Sequence, residues 1–170
     1  KDLSSKLEEC EFKVFNDTLS SNGIVNCIIV KNKANDFSRK KIDELTEFVK
    51  PHGLKGLAWA KVKKDKSWQS PIAKFFSENL IKKLTEDLSA EENDLILFGA
   101  GPYSKVKNGL SSLRNYLGKE LKLYNPNQLN FLWIIDFPLF EKDEETGELI
   151  ARHHPFCMPN SEDLSKLDKA

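Results

Sequence analysis

Ile72, Phe76, Leu80, Leu84 and Leu88 recur at every fourth position. That spacing gathers apolar side chains onto one face when the backbone is helical. Ser70-Pro71 precedes the stripe and predicts the helix start, because Pro is tolerated in a first helical turn. A stripe of this width needs an apolar layer to lie against. The sequence offers several strands to build one. Residues 57–62 and 95–98 read as strands, the second broken by Gly99-Ala100-Gly101-Pro102. Over 11–19, Phe12 and Val14 alternate with polar neighbours, which predicts a half-buried strand. Ser20-Ser21-Asn22-Gly23 then separates it from the β-rich run 24–30, as in a hairpin or tight turn.

Two more helices follow from the same logic. Asn35 to Ser38 offers capping side chains, Ile42, Leu45, Phe48 and Val49 recur at helical spacing, and Pro51 and Gly53 end the pattern. Val106, Leu110, Leu113 and Leu117 place a further helix against the core, with Gly118 near its end. Residues 131–140 read as a strand, and 148–152 pair back on it across the acidic turn 143–147. The predicted order is β-β-α-β-α-β-α-β-β, without repeats. It describes an α+β fold, a mostly antiparallel sheet with packed helices, followed by a strand and hairpin piece. A polar, Pro-containing seam at 123–128 predicts a domain of residues 1–127 and a second, partial one of 128–170.

Charge narrows the function. Lys and Arg total 26 and so do Asp and Glu, giving a net charge of zero. A domain dedicated to nucleic acid usually carries a basic surplus, since phosphate neutralisation supplies most of its affinity. Any RNA gripped here is therefore expected to be held mostly by other surfaces. Three widely spaced cysteines, Cys10, Cys27 and Cys157, give no disulfide framework and suit a reducing compartment. No basic-then-apolar leader opens the chain, and its apolar runs are far too short to span a bilayer. The expectation is a soluble, cytoplasmic chain with no membrane partner.

Three clusters are candidates for chemistry. Gly99-Ala100-Gly101 after a strand suggests a dinucleotide fingerprint, but Ser104 stands where the third Gly belongs, so a strand-exit turn is the better reading. Lys61, Lys63, Lys64 and Lys66 beside Trp68 could touch an RNA backbone. Asp65 interrupts them, and lysines commonly blunt strand edges, which favours a solvated edge. His153-His154-Pro155-Phe156 is the most informative. Pro155 restricts His154 to extended backbone, and imidazoles can donate hydrogen bonds or positive charge to a carboxylate. A structural pair and a metal site with Cys157 and Asp136 are the competing readings. Adjacent side chains seldom converge on one ion, and metal-ligand spacing is lacking. No metal is assigned.

Taken in order, several stretches resemble the bacterial-type aspartyl-tRNA synthetases. The run 131–141, then about ten residues, then His153-His154-Pro155-Phe156, is similar to that family's re-entry into its class II catalytic domain. Gly56-Leu57-Ala58-Trp59, Ser70-Pro71-Ile72-Ala73-Lys74-Phe75 and Leu110-Ser111-Ser112-Leu113-Arg114-Asn115-Tyr116-Leu117-Gly118 resemble its insertion domain, the GAD module, shared with a tRNA-dependent amidotransferase subunit. The resemblance implies an internal piece of an aspartate-tRNA ligase. Such an enzyme activates L-aspartate with ATP and Mg²⁺, transfers it to tRNA(Asp), and works as a cytoplasmic homodimer. It also implies that His153 and His154 bind aspartate. The chain has no Phe-Arg-x-Glu segment and no Gly-rich segment ending in Arg, so it is expected to be inactive alone, with no catalytic residue or cofactor of its own. The alternative is a non-catalytic insertion module that binds tRNA or a protein.

Overall fold

The computed structural model describes residues 1–7, 9–135, 137–138, 140–143, 146–152 and 160–165. The chain divides into two units, Lys1–Asn125 and Pro126–Ala170.

The first unit is built on a four-stranded sheet of order β1-β4-β2-β3, every pair antiparallel. Its strands are β1 (Ile24–Val30), β2 (Ala58–Val62), β3 (Trp68–Gln69) and β4 (Leu95–Gly101). Helices α1 (Lys13–Ser20), α2 (Arg39–Val49), α3 (Glu78–Asp87) and α4 (Tyr103–Glu120) cover it. Alternation along the strands sorts two cores. Val25, Cys27, Ala60, Ile96 and Phe98 face Phe15 of α1 and Leu80 and Leu84 of α3. Val30, Leu95 and Leu97 face Ile42, Leu45 and Val49 of α2 and Val106, Leu110, Leu113 and Leu117 of α4. With both sides of β4 covered, its uninterrupted apolar run is explained.

The predicted first strand is a helix. Phe12 and Val14 match a strand's period, but Phe12, Phe15 and Leu19 match a helix's, and Phe15 supplies the deciding burial while Val14 stays 54% exposed. Asn22-Gly23 therefore closes a helix rather than a hairpin. Asn22 takes a left-handed φ of 58° and the Gly23 amide donates to the Thr18 carbonyl at 2.9 Å. A Cβ on Gly23 would meet the Gly101 carbonyl oxygen at 2.7 Å and the Thr18 oxygen at 2.9 Å. Both are backbone atoms that cannot rotate away. Gly23→Ala is expected to lower stability by about 2 kcal/mol through overpacking; an unchanged urea midpoint would contradict this close approach.

The apolar stripe folds as one surface but not as one helix. Ser70 does not open α3. Its hydroxyl donates to the Trp59 carbonyl at 2.5 Å and accepts from the Ile72 amide at 3.1 Å. A 3₁₀ turn, Ala73–Phe75, follows, and Ser77 is the true N-cap, accepting from the Leu80 amide at 3.1 Å. Ile72 and Phe76 nevertheless join Leu80, Leu84 and Leu88 in one core. The predicted α2 is present, capped by Ser38, which accepts from the Lys41 amide.

In the second unit, β5 (Phe140–Lys142) and β6 (Leu149–Ala151) form the predicted antiparallel hairpin. Asp143 shapes its turn, accepting from the Thr146 amide through Oδ1 at 2.7 Å and from the Gly147 amide through its carbonyl at 3.0 Å. The predicted strand over 131–140 is largely not one: residues 131–135 lie outside any element, with Phe131 91% and Trp133 93% exposed. A strand needs a partner for its backbone groups, and among the described residues none pairs with these. Leu139 and Asp136 lie outside the described residues.

Candidate functional site

His153 and His154 lie outside the described residues, as do Cys157 and Asp136. The described chain ends its approach to them on β6 and Arg152, whose guanidinium pairs with the Glu141 carboxylate. This cross-strand pair ties the exit of the hairpin to its entry strand.

The other candidates are placed. Trp68 is buried at 5% exposure and its indole N–H donates to the Thr85 hydroxyl at 2.9 Å, so its ring belongs to the core and cannot stack on a base. Lys61 donates through Nζ to the Phe37 carbonyl. Lys63, Lys64 and Lys66 occupy the β2–β3 turn, where β2 is paired on both sides rather than forming the sheet edge. Asp65 builds that turn by accepting from the Ser67 hydroxyl at 2.7 Å and its amide at 3.0 Å, and those bonds hold its carboxyl below the usual range. The glycine-rich end of β4 serves packing: a Cβ on Gly99 would press on Leu110 and Leu54 at 3.2 Å. Both neighbours of β4 are antiparallel, so the parallel crossover of a dinucleotide site is lacking.

Thiol chemistry is disfavoured at the two described cysteines. Burial pushes the Cys27 thiol up to about 11 and raises that of Cys10, which keeps both protonated and inert. Among the described residues no three His, Cys, Asp or Glu side chains gather to hold a metal ion, and no helix is long and apolar enough to cross a membrane.

What the residues do build is a cleft at one end of the sheet, about 910 Å³ in volume. Phe12, Phe15, Trp59, Ile72 and Phe98 supply apolar wall, while Lys55, Tyr103, Lys105 and Asp17 stand among its polar lining. A second hollow of about 470 Å³ adjoins it, lined by Pro51, His52, Gly53, Lys105, Asn108, Ser111 and Ser112. Lys105 and Gly53 line both. No local motif signals this cleft, because its lining comes from α1, the β2 entry, residues 71–72 and the β4–α4 junction, which meet only through strand pairing.

A two-faced antiparallel sheet clad in helices, with a cleft at its end, defines an α+β domain. The model of the GAD domain matches residues 15–110, and the chain belongs to the GAD domain family. Over all 170 residues it is 47% identical to the aspartate–tRNA(Asp/Asn) ligase of Persephonella marina. Over 169 residues it is 48% identical to that of Bacillus subtilis, and it is 49% identical to the aspartate–tRNA ligase of Macrococcus caseolyticus over 170. At least 99% of the chain is covered in each case, but the chain spans only 28% of each relative's length.

Proposed function

We propose that this chain is an internal piece of an aspartate–tRNA ligase, its residues 1–127 forming the GAD insertion and 128–170 a part of the catalytic domain. One observation carries the reading. Identity to the ligases extends through the whole chain, well past the residues 15–110 that the GAD domain accounts for. A chain that shared only the accessory module would lose similarity beyond it.

In the intact enzyme, an oxygen of the aspartate α-carboxylate attacks the α-phosphorus of ATP and pyrophosphate leaves. A ribose hydroxyl of the terminal adenosine of tRNA(Asp) then attacks the adenylate's carbonyl carbon, forming the aspartyl ester as AMP leaves. Mg²⁺ would neutralise phosphate charge in such chemistry. This chain's contribution is aspartate selection. Aspartate and asparagine are near-isosteres, so discrimination must come from charge and donor placement rather than size. Two imidazoles at His153 and His154, the second in a residue that Pro155 biases towards extended backbone, supply donors for the side-chain carboxylate. The exposed run 131–135 is the piece of catalytic sheet that the remainder of the enzyme covers. The parent works as a homodimer in the cytoplasm.

Aspartate-dependent exchange of pyrophosphate into ATP by the intact protein tests the reading. Strong exchange with aspartate and little with asparagine is expected. Exchange with another amino acid, or with none, would overturn it.

A further inference from the structure

We infer that Glu141 is a positioning residue for aspartate recognition. Its carboxylate holds the Arg152 guanidinium, which fixes the open end of the β5–β6 hairpin where the chain passes on to His153. The inference deepens the ligase reading and rests on it. The hairpin needs such a tie. Each strand has three residues, and a lone two-stranded ribbon is marginal in water. Burial within the unit adds little, because Phe140, Leu149 and Ile150 are all exposed. The closed end is secured by Asp143, whose amide donates to the Glu148 carbonyl at 2.8 Å and whose carboxylate accepts from the Thr146 amide. At the open end the described strand pairing stops at Phe140 and Ala151, and Arg152 follows directly.

Register explains why these two side chains meet. Glu141 stands opposite Ile150, so Arg152, two residues further along, falls on the same face as its diagonal neighbour. Lys142 falls on the other face. The Glu141 and Arg152 side chains are 42% and 56% exposed, and ion pairs of that kind contribute little to global stability. The value of this one is directional. One peptide bond separates Arg152 from His153, and a misplacement of about 1 Å can cost a recognition group as much as ~10²-fold. The competing role is direct attraction of the substrate carboxylate by Arg152. The two roles predict opposite signs. Were Arg152 acting through its own charge, neutralising Glu141 would unmask that charge and strengthen aspartate binding. A positioning Glu141 predicts weaker binding.

The test is aspartate-dependent pyrophosphate exchange by the intact protein and its variants. Glu141→Gln keeps the side-chain shape and removes the charge. It is expected to raise KM for aspartate by about 3- to 5-fold, the upper range for an exposed pair, with kcat and the KM for ATP unchanged. Arg152→Gln should do the same, and the double variant should be no worse than either single one, since all three lose one shared interaction. Lys142→Gln, which removes a charge from the hairpin's other face, should leave the KM for aspartate where it is. A fall in that KM in Glu141→Gln would overturn the inference and assign Arg152 to direct attraction. No change would remove Glu141 from recognition, and additive losses in the double variant would show that the two residues act separately. A parallel rise in the KM for ATP would mark general disruption in place of positioning. Absence of aspartate-dependent exchange in the natural protein would sink the ligase reading and this inference together. Strong exchange there, unaltered by Glu141→Gln, would sink this inference alone.

Discussion

Replacing Asp94 by Ala is expected to lower the unfolding free energy of the Lys1–Asn125 unit by about 3 kcal/mol, among the larger costs a single substitution can carry. Asp94 is 1% exposed and sits where β4 begins. Its Oδ1 accepts from the Asn32 amide at 2.8 Å. Its Oδ2 accepts from the Glu91 amide and the Lys31 ammonium, both at 2.8 Å. One side chain therefore clasps the exit of β1 to the entry of β4. Ala would leave two part-buried backbone N–H groups without an acceptor, each costing on the order of 1–3 kcal/mol. Asn32, held at a left-handed φ of 50°, would also lose the bond that fixes it.

The same carboxylate gives the unit a pH signature. Burial works to raise the Asp94 pKa, but the bonds from Lys31, Glu91 and Asn32 outweigh it and hold the carboxyl below its ordinary value. A folded-state pKa that is depressed contributes stability fully present above the unfolded value, about 4. That contribution is lost as pH falls through the lowered folded value. The gap in urea midpoint between the natural protein and Asp94→Ala should thus be widest at pH 7 and shrink below about pH 4. Asp2 and Asp87 are also depressed, so the difference between the two proteins, not the acid slope of either, isolates Asp94. A gap that stays constant with pH would show that the carboxylate's charge contributes nothing.

The second large effect concerns the intact enzyme under the proposed ligase reading. His153→Ala is expected to lower kcat/KM for aspartate by about 10- to 100-fold, equivalent to about 1.4–2.7 kcal/mol. That is the range for losing a hydrogen bond to a charged group. On the proposed role of the imidazole at the side-chain carboxylate, the preference for aspartate over asparagine should narrow with it, while the KM for ATP stays put. Steady-state pyrophosphate exchange with both amino acids and with ATP separates these outcomes. A variant whose kcat/KM for aspartate is unchanged would remove His153 from the pocket. One whose ATP KM rises equally would assign the loss to general disruption.

The legible parts of the fold were those in which neighbours in sequence decide the outcome. α2 is announced by its own spacing and by Ser38. α4 is announced by Val106, Leu110, Leu113 and Leu117, all of them buried. The β5–β6 hairpin follows from an acidic turn whose Asp143 satisfies its own loop. Where two periods overlapped, the sequence was ambiguous. Residues 12–19 satisfy a strand by Phe12 and Val14 and a helix by Phe12, Phe15 and Leu19. The choice fell to Phe15, which packs 5.9 Å from Phe98 on the neighbouring sheet. Trp68 looked available to RNA beside its lysines, and only the Thr85 hydroxyl across the core shows where its N–H goes.

By itself the sequence determined the fold class, the cap and stop of α2, the buried face of α4, and the pattern of residues that marks the family, because hydrogen bonding and periodicity act over a few residues. Tertiary structure decided whether residues 12–19 coil or extend and where the chain after Pro71 becomes helical. It also brought Trp59, Tyr103 and Lys105 to line a common cleft. Each of these depends on which surface arrives opposite, and strand pairing between residues as far apart as Ile24 and Gly101 sets that arrival.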